Sequence, residues 1–76
     1  MSPRGLQNAR RRLEGARRLG STYLTHQAEE EGRHALEQAR AWLAPRQGTA
    51  PAINADGALV QAMAQAAEGL AALLTP

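Results

Sequence analysis

Two groups of side chains in this 76-residue sequence have types and spacings that carry chemistry. The first combines carboxylates with imidazoles: His26, Glu30, Glu31, His34 and Glu37. Within it, Glu31-Gly32-Arg33-His34 reads E-x-x-H, a spacing that puts a carboxylate and an imidazole on one helical face, one turn apart. His26 and His34 stand eight residues apart, about 12 Å along a helix axis, too far to share one ion. The second group is basic. Six of the nine arginines (Arg4, Arg10, Arg11, Arg12, Arg17, Arg18) fall in the first twenty residues against a single acid, Glu14, a net charge of +5. From Ser21 onward three arginines face six acids, a net of −3, so the overall +2 hides a basic arm on an acidic body. Such an asymmetry points to electrostatic steering of a partner.

The stretch 26–42 (HQAEEEGRHALEQARAW) resembles the corresponding helix of encapsulated ferritins. In ferritin-like bundles, paired E-x-x-H motifs and two further glutamates hold a di-iron centre. The resemblance implies Glu31 and His34 as metal ligands, with a dimer supplying the second pair. It covers 17 of the 76 residues. The family's extra glutamate lies on the preceding helix, where Glu14 is the sole acid, and Glu68 falls on the polar side of the following one. The competing reading is a solvated, charged helix face with surface histidines, and no cofactor is assigned.

These groups must be positioned by helices. Ser2 suits an N-cap and Pro3 the first helical position. Leu6, Ala9, Leu13 and Ala16 then recur at spacings of three and four, giving an amphipathic basic helix over 3–19. Arg4, Arg11 and Arg18 lie almost in line opposite this face, flanked by Arg10 and Arg17. Gly20-Ser21-Thr22 joins a C-cap residue to N-cap residues, leaving open whether the chain turns or passes through as one kinked helix. A second helix is expected over 21–44, with Leu24, Ala28, Gly32, Ala35, Leu36, Ala39, Trp42 and Leu43 inward and an i, i+4 pair from Glu29 to Arg33. The 45–54 segment (PRQGTAPAIN) reads as a Pro/Gly loop. A third helix over 55–74, capped by Asn54 or Asp56, carries the seam Leu59, Met63, Ala66, Leu70 and Leu73. Gly57 and Gly69 weaken it, which suits the close approach of a neighbour.

Composition narrows the reading. Seventeen alanines favour helix, but ten Leu, one Ile and one Val make a thin core for residues 1–76, a single small domain. A core this thin points to self-association, as a homodimer, or to burial on a partner. There is no cysteine, hence neither a disulfide framework nor a Cys-based zinc site. With no run of about 18 apolar residues, no membrane span is expected. A basic start without an apolar segment is not a secretory signal, and arginine without lysine fits a bacterial or phage protein of the cytoplasm.

The expected fold is all-α: the basic helix followed by an antiparallel helical hairpin, assembling into a bundle. No Ser-His-Asp arrangement or phosphate-binding loop supports catalysis, and no small-molecule substrate is evident. The expected function is a non-enzymatic interaction module, an adaptor, chaperone or inhibitor on a larger complex. Leu24, Trp42, Leu59, Met63 and Leu70 would supply partner or oligomer area, and Arg4, Arg10, Arg11, Arg17 and Arg18 electrostatic contact. Nucleic acid is the alternative partner, since the arginine row spans about 20 Å of helix and neutralises several phosphates. The only rings for base stacking are Tyr23 and Trp42.

Overall fold

The computed structural model describes residues 2–47 and 55–75, with side chains from residue 57 in the second segment. It is all-α, with three helices in chain order: α1 (Pro3–Leu19), α2 (Thr22–Gln47) and α3 (Ala55–Leu74). Each packs on both others, forming a three-helix bundle 43 Å long and 19 by 16 Å across. Helix α2, with 26 residues, spans nearly the whole length at 1.5 Å per residue. Contacts between helices give the directions. Arg12 meets Glu31 and Arg17 meets Glu29, so α1 and α2 are antiparallel. Arg10 meets Gly69 and Arg17 reaches Leu73, so α1 and α3 are parallel.

The helix ends follow local chemistry. Ser2, in extended conformation, accepts a bond from the Gly5 amide at 3.4 Å, and Pro3 opens α1. Gly20 ends the helix at φ 69°, a left-handed conformation that favours glycine, and its amide donates to the Arg17 carbonyl at 3.1 Å. Ser21 then caps α2, its Oγ accepting from the Leu24 amide at 3.1 Å. The chain therefore turns between α1 and α2.

The far end of α2 departs from expectation. The helix runs through Pro45 to Gln47, beyond the stop expected at residue 44. A proline in the last turn removes only one backbone bond, where few remain to be lost. Arg46 supports that turn by donating from Nη1 to the Trp42 carbonyl at 2.6 Å and lying 4.2 Å over its ring. Asn54 and the Asp56 side chain, named above as cap candidates, lie outside the described residues.

The core forms two clusters. One holds Leu6 and Ala9 of α1, Leu36, Ala39 and Leu43 of α2, and Met63, Ala67 and Leu70 of α3. The other, nearer the α1–α2 turn, holds Leu13, Ala16 and Ala28, with Leu73 and Leu74 beside it. Leu13, Met63 and Leu70 are fully buried, so the middle of the α3 seam is covered within one chain, while Leu59 at its start stays exposed. Gly32 belongs to this interior: a Cβ there would sit 3.5 Å from Leu70 and Leu74, ordinary packing distance.

One expectation about α3 changes. Its segment Gly57–Leu74 reaches a mean hydropathy of 1.3 over 18 residues, long and apolar enough by composition to cross a membrane. Gln61, Gln65 and Glu68 interrupt every apolar run, but alanine and leucine elsewhere keep the mean high. In the bundle this helix carries two arginines of α1 on its surface, at Gly69 and at the Leu73 carbonyl.

Candidate functional site

The arginines of α1 divide by direction. Arg10 and Arg17 turn toward α3. The Arg10 guanidinium lies against Gly69 so closely that a Cβ there would stand 3.0 Å from Nη1, which identifies the close neighbour that a mid-helix glycine implies. Arg17 donates from Nη2 to the Leu73 carbonyl at 2.7 Å, satisfying an end carbonyl of α3 and complementing the negative end of its dipole. Its other partner is Glu29 at 3.6 Å. Arg10 also pairs with Glu14 at 3.7 Å. Arg10 and Arg17 therefore make contacts within the fold while their side chains stay about half-exposed.

Arg4, Arg11 and Arg18 point the other way. They are exposed, seven residues apart, and no acid among the described residues pairs with them. On an α-helix that interval is about 10 Å with a drift of only 20°, so the three form a stripe on the side away from the core.

The carboxylate–imidazole group is spread out. Glu31 pairs with Arg12 at 3.3 Å, whereas His34 Nε2 lies 3.2 Å from Gln38 Nε2. Glu29, expected to pair with Arg33, is taken by Arg17, and Arg33 instead contacts Glu30 at 3.1 Å. Among the described residues no three acidic or histidine side chains gather to hold a metal ion. The basic arm and the acidic cluster thus meet within one chain, through Arg12–Glu31 and Arg17–Glu29, both partly solvated pairs. Each contributes at most about 1 kcal/mol, so their main effect is to set the register of α1 on α2.

The proposed interface residues also separate. Met63 and Leu70 are completely enclosed in the protein's own core. Trp42 is half-buried against the same core, with one ring face covered by Arg46. Leu59 and Leu24 remain outside, 37% and 42% exposed. Leu19 and Tyr23, neither of them counted among the expected interface residues, are 75% and 73% exposed beside Leu24 at the α1–α2 turn. The signal available was their position: both flank Gly20, where the helical face ends and an apolar residue has no seam to enter.

Leu19 and Leu24 wall one end of an open groove of about 540 Å³ between α1 and α2. No residue of α3 lines it. Its floor is small and apolar, Gly15 and Ala16 from α1 and Ala28 from α2, and its rim is polar, Arg12, Arg18, Gln27 and Glu31. A second, smaller recess of about 440 Å³ lies around Arg17, Glu29 and the end of α3, lined by the ion pair and bond already described. An open trough with an apolar floor and a charged rim suits a side of a helix or loop better than a small molecule, which favours enclosure. Compared with known proteins, the chain matches no family model, no curated protein and no solved structure.

Proposed function

We propose that this chain is a non-enzymatic helical interaction module that docks on a larger macromolecular complex, as an adaptor, chaperone or inhibitor. The observation that carries the reading is the exposure of Leu19, Tyr23 and Leu24 together at one end of a bundle whose remaining large aliphatics are mostly enclosed. Apolar side chains clustered beside a groove are what a partner covers, and an aromatic ring among them is a favoured anchor. The unpaired stripe Arg4, Arg11 and Arg18 adds attraction toward an acidic surface, raising the rate of encounter more than the final affinity. We place the module in the cytoplasm. Helix α3 is better occupied against α1 than in lipid, because insertion would strip Arg10 and Arg17 from it and expose its core seam.

The test is capture of a specific protein by the tagged full chain, compared with Leu24→Asp. Leu24 is outside the core, so the variant should keep its melting temperature and lose the captured protein. Equal retention by folded Leu24→Asp would remove the turn-end surface from the reading.

The arginine stripe favours one further reading, nucleic acid. Three cations spaced about 10 Å apart on an outward face can contact successive phosphates, with affinity falling steeply as salt rises. Fluorescence anisotropy with a short duplex at low and high salt would measure it. Binding that persists in the triple variant Arg4→Ala, Arg11→Ala, Arg18→Ala would exclude the stripe.

A further inference from the structure

We infer that the groove between α1 and α2 receives one amphipathic helix of another protein, bearing acidic side chains beside its apolar face, as the fourth helix of the bundle. This deepens the interaction-module reading and rests on it.

Gly15 is the first support. Glycine in the interior of a helix costs up to about 1 kcal/mol relative to alanine, so its presence calls for a backbone or packing reason. Gly20 has one in its left-handed φ, Gly69 in the Arg10 guanidinium, and Gly32 is covered by Leu70 and Leu74. At Gly15 the backbone is ordinary helix and a Cβ would meet nothing within 4 Å. Gly5 is equally open but lies in the first turn, outside the groove, where its amide serves the Ser2 cap. Nothing among the described residues uses the space at Gly15, and that space is the floor of the groove.

The dimensions fit a helix. The lining residues run from Arg12 to Leu19 on α1 and from Leu24 to Glu31 on α2, each about 10 Å or two turns. Two turns accept apolar anchors at i, i+3 or i+4, and i+7 of an incoming helix. With Gly15, Ala16 and Ala28 below, its backbone can approach closely, while Leu19 and Leu24 pack on its flank.

Charge selects the occupant. Arg18 on the rim has no partner among the described residues, and Arg12 is half-exposed although it contacts Glu31. Arg11 and Arg4 continue the positive field along the same helix. A second copy would bring another +5 segment against the first, a like-charge approach that disfavours self-pairing at this face. An acidic helix relieves that field and gives Arg18 a partner.

The probe is a synthetic amphipathic peptide of about 20 residues, with leucines on one face and glutamates flanking them, compared with its lysine counterpart. Titration into the isotopically labelled full chain should shift the amides of Gly15, Ala16, Leu24 and Ala28, with the lysine peptide about tenfold weaker. Gly15→Leu, which fills open space, should weaken binding about tenfold while the melting temperature holds or rises, since the helix gains propensity. Arg18→Glu should reverse the preference between the peptides. Shifts centred away from the groove, equal binding of both peptides, or full affinity in Gly15→Leu would overturn the inference. So would a dimer by light scattering that Gly15→Leu returns to monomer, which would seat a second copy there. If Gly15→Leu still captures the same cellular protein as the unaltered chain while the peptide fails, the groove assignment falls and the interaction-module reading stands.

Discussion

The two flanks of α1 are built from similar residues and end in opposite conditions. On the flank facing α3, Arg10 covers Gly69 and Arg17 ties off the Leu73 carbonyl and Glu29, so the seam is closed by the chain itself. On the outer flank facing α2, Arg12 meets Glu31 at one end, but Gly15 is uncovered and Leu19 stands in solvent. An arginine or a glycine therefore has no fixed role in such a helix. What lies opposite decides: the carbonyl end of α3 makes Arg17 structural, whereas solvent leaves Arg18 free for a partner. One flank holds the bundle together and the other is unfinished.

Breaking the closed side should have the largest effect. Leu70→Ala removes a fully buried side chain, a loss of about 2–5 kcal/mol, comparable to the total stability expected of so small a domain. Urea titration followed by circular dichroism should find that variant largely unfolded near 25 °C, while Leu24→Ala on the open side unfolds within about 1 kcal/mol of the original chain. A native-like midpoint for Leu70→Ala would mean the α3 seam is not the core. The arginines give the next contrast. Arg17→Ala should cost about 1 kcal/mol through the lost carbonyl bond and helix-end charge, and Arg18→Ala within about 0.5 kcal/mol. Equal midpoints for the two would erase the distinction between the flanks.

The glycines sharpen the comparison further. Gly32→Ala should raise the unfolding free energy by up to about 1 kcal/mol, because its Cβ enters ordinary contact with Leu70 and Leu74 and the helix gains propensity. A drop in melting temperature would show that the α2–α3 contact is tighter than 3.5 Å suggests. Gly69→Ala carries the smallest expected change. The same propensity gain is offset by displacing Arg10, whose guanidinium is the far end of a flexible chain, so the net should lie within a few tenths of a kcal/mol. A loss above about 1 kcal/mol would make Arg10 far more rigid than its half-exposed pair with Glu14 implies.

Much of the fold was legible because it is local. Ser2, Pro3, Gly20 and Ser21 act through their own turn of backbone, and Leu6, Ala9, Leu13 and Ala16 declare a face by spacing alone. Pro45 misled because a proline's effect depends on how many backbone bonds remain after it, and Arg46 reinforces that turn from one residue further on. The site was only partly legible. Leu24 and Arg18 do line the groove, but Leu70 and Met63 looked like docking residues for the same reason that they are core: periodicity marks an apolar face without naming what covers it. Leu19 carries no periodic signal, and the spacing that extends the α1 face to Tyr23 says nothing of its exposure beyond the Gly20 turn.

Three helices, the caps around the α1–α2 turn, the basic character of α1 and the apolar seam of α3 are written in the residues themselves, as consequences of short-range conformational preference and helical spacing. Packing settles which arginines contact α3, that Glu31 meets Arg12, and that Gly15 opens on a groove. Those outcomes depend on how helices are set side by side, where residues far apart in the chain meet, and no local preference specifies that register.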